Sequence, residues 1–406
     1  MPILKLAAGR RFRANPACYI TTGERTAKMP ELNRIPQVAI DFRWLDQLSL
    51  GNGQFRYAVD LISGLAELAP EIKFVVLGSK PQPIVEIAQV FSHLEKWRYE
   101  SFPRLTGKGS LYREQALYLR LLRKLDIDLL HALHTFVPIY PPVPVIETVY
   151  DMMPELFPEY AGNVQSREYR LHKWAFLRFA SGAIAISKTT ANDLERLWRF
   201  PAERIDVVYL GSKLPGSDND AVREGAPMIL APYNLEPRKN LSRLLQAVAK
   251  LKEKQVPLEL VLFGRAAVDE SREQQFHSVV SQLNLDSCIK LTGRVSDQEL
   301  ANLYRKAAVF AFPSLYEGFG LPVLEAMSAG AAIVAHHESA MAEVLGDAGY
   351  LVDMNDVSAI CDAVERALKD GKIGQKAVLR AQVFSRERMA RETLAVYRKT
   401  LKITEI

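Results

Sequence analysis

The sequence predicts an α/β protein made of two doubly wound parallel-sheet domains. Short β-branched runs alternate with segments of helical periodicity from Gln37 onward, the pattern of strands covered by helices. Residues 214–220, rich in turn formers and polar groups, break these runs into two sets. The chain has 406 residues, 48% apolar and 24% charged, enough for two domains of about 100–200 residues each. Strands of the first sheet are expected at residues 38–42, 74–77, 127–130, 145–149, 183–186 and 205–208. Those of the second are expected at 228–231, 258–263, 289–291, 309–312, 332–335 and 350–352.

Charge and cysteine content exclude several classes. The net charge is +5, and the first 34 residues hold seven Lys and Arg against Glu24 and Glu31, which accounts for all of it. The rest is balanced, so the calculated pI near 8.9 does not signal a nucleic-acid-binding face. Residues 1–34, with Gly9, Pro16, Gly23 and Pro30 among the cations, read as a basic, poorly ordered extension. Cys18, Cys288 and Cys361 are far apart and show no C-x-x-C spacing, which suggests a reducing compartment and no metal cluster. No apolar run approaches the roughly 18 residues needed to span a bilayer, so a cytoplasmic protein is expected.

Chemistry concentrates in residues 312–327. The strand at 309–312 runs into a turn holding Glu317, Gly318, Phe319 and Gly320, and then into a helix opened by Leu321 and Pro322. The N–H groups of Phe319, Gly320 and Leu321 lie where a helix N-terminus favours an anion, and the glycines let a ligand approach the backbone. Glu317 before the turn and Glu325 one turn into the helix are carboxylate acceptors suited to paired sugar hydroxyls. A sugar joined to a phosphate fits this arrangement.

These residues resemble the E-x7-E signature of the retaining glycosyltransferases of family 4, which have the GT-B fold. Pro313, Glu317, Gly318, Phe319, Gly320, Leu321, Pro322, Glu325, Ala326 and Gly330 fall where that pattern has them. The resemblance implies that Glu317 contacts the transferred sugar and Glu325 the nucleotide ribose. It also implies two Rossmann-like domains facing across a cleft: an acceptor-side domain at 35–215 and a nucleotide-sugar domain at 216–385. A last helix within 386–406 would cross back to the first domain.

A second motif, residues 236–240, follows the strand at 228–231. Arg238 offers a planar donor fork and Lys239 a compact charge, and both would stabilise a departing diphosphate. Family members carry a similar E-P-R-K-N whose lysine, here Lys239, grips the phosphates. Many also have an arginine six positions earlier, where this chain has Tyr233. Arg238 therefore either supplies the second cation or turns toward solvent.

The first domain has its own glycine loop, Gly51 and Gly53, with Arg56 where a dinucleotide fingerprint wants a third glycine. That disfavours hydride transfer. In family 4 a similar loop closes over the donor phosphates. Arg56 would then add charge to the donor site or sit exposed at a helix start. The segment from Val149 to Glu159 resembles the family's His-Asp segment, with Tyr150 in place of the histidine and Asp151 retained. Tyr150 can still donate to a sugar hydroxyl; Asp151 either faces donor or acceptor hydroxyls or caps its turn. His131, at a strand end, is a further candidate donor contact or a structural histidine. Arg294 and Val295 resemble the segment that brackets the nucleotide base, although a strand end before a Ser-capped helix explains the same letters.

The D-x-D at Asp126 and Asp128 begins a strand at the end remote from the cleft and reads as strand punctuation, so no metal cofactor is expected. Residues 111–125 place leucines on one helical face and cations elsewhere, as a core-packed helix or one lying on an anionic membrane would. The stretch 167–178 poses the same choice.

Together these readings predict a metal-independent retaining hexosyltransferase. Its donor would be a nucleoside-diphosphate sugar, UDP-glucose ahead of GDP-mannose, and its acceptor a glycan or lipid-linked hydroxyl in polysaccharide biosynthesis. A nucleotide-sugar epimerase and a non-catalytic binding protein of the same fold are the alternatives.

Overall fold

The computed structural model describes residues 34–48, 52–68, 71–91, 96–102, 110–134, 137–157, 164–211, 225–264 and 270–403. Gly51, Cys18, nearly all of the basic extension and the expected interdomain linker lie outside the described residues. Pro36 to Ile406 form one compact unit, to which everything below refers.

Among the described residues, thirteen strands build two sheets. In the first, β1 (Gln37–Asp41), β2 (Lys73–Gly78), β3 (Trp97–Ser101), β4 (Leu129–Ala132), β5 (Val145–Val149), β6 (Gly182–Ala185) and β7 (Ile205–Val207) run in the order β3-β2-β1-β4-β5-β6-β7. In the second, β8 (Met228–Pro232), β9 (Glu259–Phe263), β10 (Ile289–Gly293), β11 (Val309–Phe312), β12 (Ala332–His336) and β13 (Tyr350–Val352) run β10-β9-β8-β11-β12-β13. Every pairing is parallel, as in Ile40 opposite Val76 and His131, and Phe310 opposite Leu230 and Ile333. Covered on both faces, the central strands are near-continuous apolar runs, and β4, β5, β6 and β11 have no exposed residue. Each fully buried aliphatic or aromatic side chain contributes on the order of 1.5–3 kcal/mol.

Both sheets change their direction of growth once, at β1/β4 and at β8/β11. Ligands of such sheets bind outside the strand carboxyl ends at that reversal. The turns after β8 and β11 carry the two motifs singled out in the sequence, so topology alone brings Lys239 and Glu317 together.

Two departures from the sequence reading have local causes. The strand expected at 127–130 starts at Leu129, because Asp126 adopts φ +53° and the Asp128 carboxylate accepts the Gln37 N–H at 2.8 Å. The D-x-D thus tethers the amino ends of β1 and β4. Strand β3 was not expected: an edge strand of Trp97, Arg98, Tyr99, Glu100 and Ser101, none of them fully buried, lacks the apolar run that marks the others.

The final helix, Arg386–Leu401, lies against the first-domain helix Gly53–Leu68. The approach is close enough that a Cβ at Gly64 would stand 2.9 Å from the Ala390 Cβ. The final helix also forms ion pairs with the first domain: Arg386 with Glu67 of that helix, Arg398 with Glu71 just beyond it and Lys399 with Asp206 of β7, at 2.6, 2.6 and 2.7 Å.

Candidate active site

The β11 strand ends at Phe312, and the helix Leu321–Ser328 starts nine residues later. Gly320 is its N-cap with φ +97°, a conformation L side chains rarely adopt, and an added Cβ would meet the Met341 Cε at 2.2 Å. At Gly318 a Cβ would meet the Tyr150 carbonyl oxygen at 1.9 Å, so here the two domains touch backbone to backbone. Gly318 is required by this backbone contact, and Gly320 by its left-handed backbone, since the end of the Met341 side chain can move aside. Pro322 occupies the first turn, where its missing N–H removes nothing.

Around this turn lies a cleft of about 420 Å³. The second domain lines it with Asn234, Arg238, Lys239, Ser314, Glu317 and the turn from Gly318 to Pro322. The first domain contributes Asn52, Gly53, Gln54, Tyr150, Asp151 and Met153. Of the residues expected from the sequence, Glu317, Lys239, Arg238, Phe319, Gly320, Leu321, Gly53, Tyr150 and Asp151 therefore share one wall-to-wall space.

Glu317 is its electrostatic centre. Lys239 Nζ donates to Glu317 Oε1 at 2.6 Å, and Arg238 donates to the same oxygen at 3.1 Å. Burial raises the Glu317 carboxyl pKa, but the nearby Lys239 and Arg238 charges outweigh it and hold it below the usual carboxylate range. Arg238 does not turn to solvent: it is 5% exposed, and it also donates to the Tyr316 carbonyl at 2.6 Å and to Ser314 Oγ at 3.3 Å. It therefore buttresses the β11 turn, while Lys239, the last residue of the turn Pro237–Lys239 and followed by the left-handed cap Asn240, is the more exposed cation.

Glu325 is buried and its carboxyl pKa is raised, chiefly by that burial. Tyr304 donates to Glu325 Oε2 at 3.1 Å, and Arg56 pairs with the other oxygen. Arg56 also reaches Asp297 at 2.8 Å. Arg56, in the first turn of the helix Gly53–Leu68, thus clasps the second-domain carboxylate that the resemblance assigns to ribose, and neither residue is among those lining the cleft. Sequence reading did not foresee Tyr304 or Asp297 at this point, because nothing local marks a partner more than twenty positions away.

On the opposite wall, the Asp151 carboxylate accepts the Met153 N–H at 2.9 Å and so caps its own turn. Burial, together with the facing Glu317, raises its pKa. Tyr150 donates its hydroxyl to the Leu133 carbonyl at 2.7 Å, and its ring stands edge-on to Tyr57, centroids 5.6 Å apart.

Other candidates sit elsewhere. His131 does not reach the cleft. It is wholly buried, with Nδ1 2.6 Å from the Tyr397 hydroxyl and Nε2 2.8 Å from Thr148 Oγ1, so it pins the final helix to the first sheet. Burial lowers its pKa to about 3. The Phe319 side chain packs in the core near Tyr209 and Phe384, which leaves only its backbone for a ligand. Arg294 and Val295 lie between β10 and the helix Asp297–Lys306, outside the cleft lining, with Arg294 exposed. Outside the cleft lining too, His336, His337 and Asp353 bring three ligand-type atoms within 4.8 Å at the ends of β12 and β13.

Further ties across the domains were missed in the sequence. The Tyr316 hydroxyl donates to Asp193 at 2.8 Å, and Glu343 accepts the Lys188 and Thr189 N–H groups at 2.8 and 2.7 Å. Glu343 thereby caps, from the second domain, the first-domain helix Lys188–Trp198. Among the described residues no helix is long and apolar enough to cross a membrane.

Comparison with known proteins agrees with this geometry. The family described as glycosyl transferases group 1 matches residues 217–383, and Glycosyltransferase Family 4 matches residues 51–213. O-antigen chain mannosyltransferase B of Escherichia coli is 32% identical over 274 residues, covering 62% of this chain and 70% of that protein. MMP alpha-(1->4)-mannosyltransferase of Mycolicibacterium hassiacum is 34% identical over 230 residues, 54% of each chain, so about half of that relative is spanned. The solved structure of Anabaena Alr3699/HepE in complex with UDP and glucose shares the fold, with a TM-score of 0.69 at 18% identity over 90% of this chain and 100% of that one. This chain belongs to the group 1, family 4 glycosyltransferases and has their GT-B fold.

Proposed function

We propose that the protein transfers a hexosyl unit from a nucleoside-diphosphate sugar to a hydroxyl of a glycan or lipid-linked acceptor, with retention at the anomeric carbon and without a metal ion. One observation carries the reading: Glu317, Lys239, Arg238 and the N-terminus of the helix Leu321–Ser328 meet in a single cleft between two sheets.

In this reading Glu317 accepts sugar hydroxyls and Glu325 ribose hydroxyls, the latter after release from Arg56. The N–H groups of Gly320 and Leu321, with Lys239, hold the diphosphate and stabilise charge as it departs. The bond from the acceptor oxygen to C1 forms on the face from which the C1–O bond to phosphate breaks. The acceptor proton passes to a leaving phosphate oxygen, so no protein nucleophile is needed. Gly53 brings the first-domain backbone close to the phosphates, Asp151 and Tyr150 line the acceptor side, and Arg294 and Val295 border the base. Lys239 and Arg238 take the role a metal has in other transferases. The reaction belongs to polysaccharide assembly at the inner face of a membrane.

UDP-glucose is the donor expected from the sequence. The two sequence relatives described above are mannosyltransferases by name, which favours GDP-mannose as a second reading. Calorimetry with UDP, GDP and ADP, followed by product analysis with the matching sugars, tests both. Transfer or donor hydrolysis supports the proposal. Donor isomerisation without an acceptor identifies an epimerase instead, and nucleotide affinity without turnover identifies a binding protein.

A further inference from the structure

The outward side of the first domain carries a surface that the proposed reaction does not use. The helices Ser110–Lys124 and Arg167–Phe179 cover one face of the first sheet, burying Tyr118, Leu122, Ala175 and Phe176 with Ala39, Val75 and Val145. The loop between β4 and β5 lies with them: the Ile139 N–H donates to Gln115 at 2.9 Å, and the Tyr140 ring packs on Phe179 at 4.8 Å.

Ten large apolar side chains are exposed among the described residues, and four of them lie on this one layer: Leu117, Tyr140, Trp174 and Leu177, at 42, 72, 48 and 37%. Trp174 and Tyr140 both pack on Phe179, so the aromatic part is continuous. The charges beside them are mostly positive. Arg113, Leu117, Arg120 and Lys124 follow helical spacing along one exposed face, as do Arg167, Arg170, Trp174 and Leu177 along the other. Of the two acidic residues on these helices, Glu114 is buried against Arg43 at 2.9 Å, which leaves Glu168 as the exposed one.

We infer that this layer docks on an anionic lipid surface. Exposed Trp and Tyr suit the boundary where one edge of a ring is apolar and the other wet, Leu117 and Leu177 enter the acyl margin, and the arginines and lysines meet lipid phosphates. Aliphatic side chains in the middle of the patch have no role on a nucleic acid, which favours lipid over RNA. The layer also adjoins the acceptor side of the cleft: Tyr169 of the second helix donates to Glu155 at 3.2 Å, four residues after Asp151.

The test uses the full chain and vesicles of phosphatidylcholine with or without phosphatidylglycerol; it needs no donor and no turnover, so it succeeds or fails apart from the transferase reading. The protein sediments with the anionic vesicles, less so as salt rises, and at least ten-fold more weakly with Arg113→Glu, Arg120→Glu and Arg170→Glu combined. Trp174→Ala, alone and with Tyr140→Ala, weakens binding several-fold at constant charge. A control with Lys376→Glu and Arg391→Glu, on the second domain and the final helix, binds as the unaltered chain does. Thermal unfolding at an unchanged temperature shows that the variants remain folded. The inference is overturned if the unaltered chain ignores phosphatidylglycerol, if the patch variants sediment like it, or if the patch instead holds single-stranded RNA in preference to vesicles.

Discussion

Lys239 Nζ stands 2.6 Å from Glu317 Oε1 and so ties the turn after β8 to the turn after β11, its neighbour at the sheet's reversal point. Because Arg238 also reaches that oxygen, at 3.1 Å, removing the lysine leaves the carboxylate compensated. Lys239→Ala is therefore expected to lower kcat/KM by about 10²–10³ while the unfolding temperature barely moves. Steady-state kinetics beside a thermal melt checks this; kinetics like those of the unaltered chain would remove Lys239 from the phosphate site.

Arg238 behaves oppositely because of where it lies. It is buried and holds Tyr316, Ser314 and Glu317 together, so Arg238→Ala strands buried acceptors and a carboxylate. The expected loss is about 3–5 kcal/mol of stability, read from denaturant midpoints. Arg238→Lys does not restore it, since an ammonium cannot span the same set of acceptors as a guanidinium fork. A variant as stable as the unaltered chain would refute the buttress role.

The contrast shows what the sequence reveals and what it hides. Local patterns marked twelve strands, because strands buried on both faces are apolar runs, whereas β3, a half-exposed edge, gave no such signal. Glu317, Lys239 and Gly320 were legible since each follows a strand end within one short motif. Arg238 was left between two orientations, which only the neighbouring turn after β11 decides. His131 was left between a donor contact and a structural role for a related reason: a strand-end position places the backbone near a cleft but does not say which way the ring points, and here it meets Tyr397, 266 positions away.

The clasp of Arg56 on Glu325 and Asp297 joins the start of the first-domain helix Gly53–Leu68 to the second domain beside the carboxylate proposed to bind ribose. If it acts as a unit, the two residues are coupled rather than additive. A double-mutant cycle of Arg56→Ala and Glu325→Gln, read by nucleoside-diphosphate calorimetry, is expected to give about 0.5–3 kcal/mol of interaction energy. Glu325→Gln alone weakens the nucleotide. Additive effects would show that the two residues act on binding independently and that the clasp is not a unit.

The buried histidine gives the protein a pH dependence whose sign follows from its surroundings. His131 has a folded pKa of about 3 against an ordinary value of 6.5, because burial between Tyr397 and Thr148 disfavours the imidazolium. Below 6.5 the unfolded chain takes up a proton that the folded chain refuses, so this histidine's contribution is complete above pH 6.5 and fades as pH falls toward 3. The stability gap between the unaltered chain and His131→Gln should therefore be widest at pH 7–8 and close by about 1.4 kcal/mol per pH unit on acidification. Tyr397→Phe leaves one ring nitrogen without its hydroxyl partner, costs about 1–3 kcal/mol, and loosens the final helix from the first sheet. Urea unfolding of the three proteins between pH 5 and 8 measures both effects. A gap that stays constant with pH would mean that the ring can be protonated where it lies, and that the helix is anchored by the Arg386, Arg398 and Lys399 ion pairs instead.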